Sequence, residues 1–115
     1  TFGANPICAA AGLVVQETLS DDFLQEVTAK GEYLRGAIEA LDLPCFGKTR
    51  GLGLMIGIEL AFPAKAVWEE LIRRGFICNL SHEVVLRLLP ALNIPEEDLR
   101  AFADTLEDIL ANIKK

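Results

Sequence analysis

Residues 51–60 read GLGLMIGIEL, and their alternation decides the fold class. Leu52, Leu54, Ile56, Ile58 and Leu60 fall on one side of an extended chain, and Gly51, Gly53, Met55, Gly57 and Glu59 on the other. Successive side chains of a strand point to opposite faces, so this period of two predicts a β-strand packed on its leucine and isoleucine side. The glycine side is nearly bare. Glycines weaken a strand, so three of them imply that a helix, another backbone or a ligand comes close.

Further along, residues 84–90 read VVLRLLP, a second strand with Arg87 among six non-charged, mostly aliphatic positions. Arginine keeps its charge at any pH of interest, and burying it unpaired would cost on the order of several kcal/mol. Three readings stay open from position alone. The planar guanidinium receives a ligand carboxylate in bidentate fashion, it forms an internal salt bridge (for instance with Glu59), or it stands on an exposed edge of the sheet.

Helical signals surround these strands. Asn5-Pro6 predicts a capped start, followed by Ile7, Ala10, Ala11 and Val14 at helical spacing. Ser20 caps a second helix with Asp21 and Asp22 in its first turn. Its apolar stripe is Phe23, Leu24, Val27, Leu34, Ile38 and Leu41, and Leu43-Pro44 closes it. Pro63 opens a short helix carrying Val67, Trp68, Leu71 and Ile72, with Gly75 as its stop. FICNL, residues 76–80, reads as a brief strand, and residues 84–92 as the next. Pro95, Glu96, Glu97 and Asp98 begin a last helix in which Leu99, Phe102, Leu106, Ile109, Leu110 and Ile113 keep the 3.6 period up to Lys114-Lys115.

The predicted order is helix, helix, strand, strand, helix, strand, strand, helix. Closely joined strands favour an antiparallel or mixed sheet of three to four strands with helices on one face, an α+β fold. At 115 residues the chain has room for one core. Its hydrophobic fraction of 51% and mean hydropathy of +0.32 argue for a folded segment.

The charge balance narrows the partners. A net charge of −6, with no basic run longer than Arg73-Arg74, offers no stripe for a phosphate backbone, so nucleic acid is not expected. No apolar run approaches the ~20 residues of a membrane span and the start lacks the order of a signal peptide, so no membrane partner and a cytoplasmic location are expected. Cys8, Cys45 and Cys78 are odd in number and scattered, which predicts buried thiols and not a metal site or disulfide framework. His82 has no second histidine or cysteine at ligand spacing and reads as a loop residue. GLGLMIG misses the dinucleotide fingerprint because its third glycine falls one place late, at Gly57, and no helix follows. TFGANP, residues 1–6, supplies a hydroxyl, loop amides and a helix start that could hold a phosphate, although an ordinary turn also fits.

Taken together and in order, TFGANP, RGLGLMIGIEL and VVLRLLPALNIPEEDL resemble the carboxy-terminal portion of class III pyridoxal-phosphate aminotransferases, with the last two particular to the acetylornithine branch. The resemblance covers essentially the whole chain. It implies residues 1–20 as an interdomain connecting helix and residues 21–115 as a small α+β domain that closes over the substrate. It further implies a cytoplasmic homodimer whose large domain binds pyridoxal 5'-phosphate through a Schiff-base lysine preceding Thr1. Lys30, Lys48, Lys65, Lys114 and Lys115 all lack that lysine's context, so the chain alone is expected to be inactive and without bound cofactor.

Two roles carry over from the resemblance. Thr1 matches the threonine that binds the cofactor phosphate across the dimer interface, and Arg87 matches the arginine that receives the substrate α-carboxylate. The reaction implied exchanges the amino group of N-acetylornithine with 2-oxoglutarate, giving N-acetylglutamate semialdehyde and glutamate in arginine biosynthesis. Ornithine and succinyldiaminopimelate transamination lie close by. A free-standing α+β module that binds a small carboxylate or a protein partner is the alternative from another class. Ala4, Leu52 and Pro95 depart from the family pattern, where a glycine, a basic residue and a capping hydroxyl are usual. The first connecting helix, separated from a large domain, is expected to expose Ile7 and Val14.

Overall fold

The computed structural model describes residue 3, residues 5–41 and residues 46–112. Leu43-Pro44, Cys45, Ile113 and Lys114-Lys115 lie outside the described residues. The elements follow in the predicted order: α1 (Pro6–Thr18), α2 (Asp21–Glu39), β1 (Phe46–Leu52), β2 (Met55–Leu60), α3 (Lys65–Arg73), β3 (Asn79–Ser81), β4 (Val85–Leu88) and α4 (Glu96–Asn112). The four strands form one antiparallel sheet in the order β1-β2-β4-β3. Helices α2, α3 and α4 pack on one face of it, which bears out the α+β architecture.

Local chemistry accounts for the helix starts. The Asn5 side chain accepts from the Ile7 and Cys8 amides at 3.0 and 3.4 Å, and Ser20 Oγ accepts from Phe23 N at 3.3 Å. Helix α3 begins at Lys65, two residues after Pro63, with Ala64 at its N-cap donating its amide to the Glu83 carbonyl at 2.7 Å. Gly75, at φ +92, ends that helix in the left-handed conformation glycine tolerates.

The decisive stretch contains a turn that its alternation conceals. Leu52 pairs with Met55, so the chain reverses at Gly53-Leu54, and Gly51 and Leu52 belong to β1. Residues paired across a two-residue turn share a face, so Leu52 sides with Met55 and is 86% exposed, contrary to its predicted place in the core. Leu54 is buried from within the turn, while Ile56, Ile58 and Leu60 form the buried face of β2 as the period requires. Gly53 has φ +52, the glycine-first pattern of a II′ hairpin. A β-carbon on Gly31 of α2 would stand 2.1 Å from the Gly53 carbonyl oxygen, so helix and turn meet through two glycines.

The FICNL strand is shorter than its sequence suggests, with only Asn79 and Leu80 joining Ser81 in β3. Phe76 turns inward to meet Phe102 edge-on at 5.6 Å, and Trp68 Nε1 donates to the Cys78 carbonyl at 2.9 Å. That carbonyl is therefore committed to a side chain. Burial corrects the cysteines too: Cys8 is exposed on α1 and Cys78 is half-buried, where burial pushes its thiol pKa up. Leu24 and Ile72 also stand exposed at the margins of their stripes. Helix α1 has no buried residue, and Ile7 and Val14 are exposed as expected. No helix among the described residues is long and apolar enough to cross a membrane.

Candidate carboxylate-binding site

The face of the sheet away from α2, α3 and α4 carries every charge that the four strands possess: Lys48, Arg50, Glu59 and Arg87. Three cations stand against one acid, in a chain whose net charge is −6. Strand register explains the concentration. Arg50 on β1, Gly57 on β2, Arg87 on β4 and Asn79 on β3 lie opposite one another in a single row. Residues in register project to the same face, so two guanidinium side chains flank a glycine. A β-carbon at Gly57 would meet Arg50 Cγ at 3.6 Å and Val85 Cγ1 at 3.5 Å, which shows that the Arg50 stem runs across the bare position.

Arg87 is exposed, so its puzzle resolves by period: Leu86 and Leu88 are buried on the helix side while Arg87 projects from the opposite face. The internal ion pair with Glu59 does not form. Glu59 stands opposite Val85, and its Oε2 lies 3.9 Å from Lys48 Nζ and 3.7 Å from Arg50 Nη1. Among the described residues no carboxylate pairs with Arg87. Arg50, Gly57, Ser81, His82 and Arg87 border a shallow recess with no acidic residue in its wall. Ser81 Oγ sits 2.9 Å from His82 Nδ1 at its rim, so His82 is less isolated than its sequence position implied.

The bare glycines thus have two different uses. Gly53 admits helix α2, whereas Gly57 opens the outer face between two arginines. Arg50 was not singled out by sequence because the turn was hidden within an unbroken alternation. Counting back from a reversal at Gly53-Leu54 places Arg50 opposite Gly57, and that signal was available.

Pyridoxal phosphate is the cofactor of class-III aminotransferases, and the described residues do not by themselves make a cradle for it. Lys48 and Lys65 are exposed and paired with Glu59 and Glu69, Lys30 is half-buried on α2, and none borders the recess. Thr1, Phe2 and Ala4 of the TFGANP segment lie outside the described residues. What the recess offers is hydrogen-bond donors and positive charge, the chemistry that holds a carboxylate.

The family described as Aminotransferase class-III matches residues 1–110, and the chain belongs to that family. It is 40% identical over 112 residues to the acetylornithine aminotransferase of Streptomyces coelicolor, a match that covers 96% of this chain and 28% of that protein. It is 35% identical over 113 residues to the ornithine aminotransferase of Bacillus subtilis, covering 97% and 28%. The structure of N-acetylornithine aminotransferase from Stenotrophomonas maltophilia superposes with a TM-score of 0.82 at 28% identity, over 95% of this chain and 32% of that one. The chain spans between a quarter and a third of the length of these relatives. It is an aminotransferase domain related to the acetylornithine and ornithine enzymes alike.

Proposed function

We propose that this chain is the carboxy-terminal small domain of a pyridoxal-phosphate-dependent acetylornithine aminotransferase, a homodimer of the cytoplasm. In this reading residues 1–20 connect it to a large domain that holds the Schiff-base lysine, and residues 21–115 close over the substrate. The whole enzyme passes the amino group of N-acetylornithine to 2-oxoglutarate, giving glutamate and N-acetylglutamate semialdehyde. Arg87 receives the α-carboxylate and Thr1 reaches the cofactor phosphate of the partner subunit. The observation that carries the reading is Arg87 itself, an exposed guanidinium with no acidic partner among the described residues, beside the glycine gap at Gly57.

Two parallel hydrogen bonds from one rigid fork fix a carboxylate in a plane as well as in place. Orienting the substrate in this way holds its reacting bond where the cofactor, which supplies the electron sink, can act on it. The full aminotransferase carrying this chain tests the reading, assayed with 2-oxoglutarate against N-acetylornithine, ornithine and succinyldiaminopimelate. N-acetylornithine is expected to be the preferred donor, and a higher kcat/KM for ornithine would reassign the substrate. Arg87→Ala should lower kcat/KM for 2-oxoglutarate by about tenfold to a hundredfold, from the ~1.5–3 kcal/mol of charged hydrogen bonding it removes. With pyridoxal phosphate added, the 115-residue chain alone should develop no internal-aldimine absorbance.

A further inference from the structure

We propose that Lys48 and Arg50 are positioning residues that hold the Glu59 carboxylate away from Arg87 and so keep that guanidinium open to a ligand carboxylate. The inference rests on the reading of Arg87 as a carboxylate anchor.

Glu59 is the sole acid on the four strands, and it projects from the same face as Arg87. Its register partner on β4 is Val85, two residues from Arg87, so the two side chains are diagonal neighbours, within about 7–8 Å at the backbone. A glutamate and an arginine are both long enough to close that interval. Gly57, the residue directly opposite Arg87, adds no side chain of its own, and only the Arg50 stem and Val85 Cγ1 lie over it. Glu59 should therefore quench Arg87 unless something competes for it.

The competition comes from β1. Lys48 is the register partner of Glu59, and Arg50 is the partner of Gly57. Both cations reach the same oxygen, Glu59 Oε2, at 3.9 and 3.7 Å. The Arg50 stem lies over Gly57, where a β-carbon would stand 3.8 Å from Arg50 Nε, so its guanidinium sits above β2 within reach of Glu59. Two cations on one carboxylate offset what Arg87 alone would offer. The surplus positive charge of the face is then left on Arg87. Each pair is exposed and weak taken singly, so the device depends on both acting together.

The side-chain Hε signal of Arg87, followed by NMR in the 115-residue chain without ligand, tests this directly. In the unsubstituted chain its solvent exchange should match that of a free arginine. In K48Q/R50Q, Glu59 should capture Arg87 and slow that exchange at least severalfold, and adding E59Q should restore it. Titration with 2-oxoglutarate should weaken about threefold to fivefold in K48Q/R50Q, as expected for a competing ion pair of up to ~1 kcal/mol, and recover in K48Q/R50Q/E59Q. Loss of long-range positive charge alone would weaken the titration without protecting the Arg87 proton. An unprotected Arg87 Hε in K48Q/R50Q, or one already protected in the unsubstituted chain, overturns the inference. Undiminished 2-oxoglutarate binding in R87A overturns instead the anchor reading beneath it.

Discussion

Ile58 sits at the centre of β2 with no accessible surface, opposite Thr49 on one side and Leu86 on the other. Truncating it leaves a void that neighbouring strands cannot close, so Ile58→Ala should cost about 2–5 kcal/mol in urea unfolding. Glu70 shows the contrasting behaviour of a surface group. Arg73 Nε and Arg74 Nε donate to its carboxylate at 2.7 Å each, and these hydrogen bonds hold its pKa down at about 2 from an ordinary 4.5. A folded-state pKa below the unfolded one adds stability that is complete above about pH 4.5 and is lost as pH falls toward 2. The urea midpoint should therefore drop between about pH 5 and pH 2.5 by less in Glu70→Gln than in the unsubstituted chain. Equal drops would mean that the cluster is too well solvated to matter.

Two glycines of α2 are predicted to respond to alanine with opposite signs. At Gly31 a β-carbon meets the Gly53 carbonyl oxygen at 2.1 Å, which forces helix and hairpin apart, so Gly31→Ala should destabilise by about 1–3 kcal/mol. At Gly36 nothing lies within 4 Å, so Gly36→Ala should stabilise by about 0.5–1 kcal/mol through helix propensity. Thermal unfolding of the two variants side by side decides it. The β3–β4 connection holds a similar reserve, because His82 and Glu83 have φ of 51° and 61° without being glycine. Asparagine tolerates this conformation better, so Glu83→Asn should raise stability by a few tenths to about 1 kcal/mol, with the Glu83 carbonyl still bonded to the Ala64 amide. These element-scale features were only partly legible in the sequence. Asn5 and Ser20 announced their helices because a cap is a local bond between residues two or three apart. The Gly53 turn, the Gly31 contact and the strained pair at His82-Glu83 were not announced, since each depends on what crosses the element from elsewhere.

Across the whole molecule, apolar surface divides unevenly. The helices behind the sheet share one core, whereas α1 leaves Ile7 79% and Leu13 65% exposed. An apolar helix with no buried residue calls for a partner surface, which under the proposed function is the large domain. The 115-residue chain by itself should therefore self-associate as concentration rises, and Ile7→Glu with Leu13→Glu should suppress this. Sedimentation measured over a hundredfold concentration range is the check, and a strict monomer throughout would count against an interfacial α1.

Sequence alone determined the order of the elements, the α+β class, the capped starts of α1 and α2 and the buried stripe of Ile56, Ile58 and Leu60, because period and capping act over a few residues. It also made Arg87 conspicuous, without saying whether Glu59, solvent or a ligand answered its charge. The tertiary structure decided that. The reversal at Gly53-Leu54 set the register of β1 on β2, the register brought Lys48 and Arg50 to Glu59, and Arg87 was left open beside Gly57. Charge pairing across a sheet depends on which strands become neighbours and in what register, and only the fold as a whole supplies that.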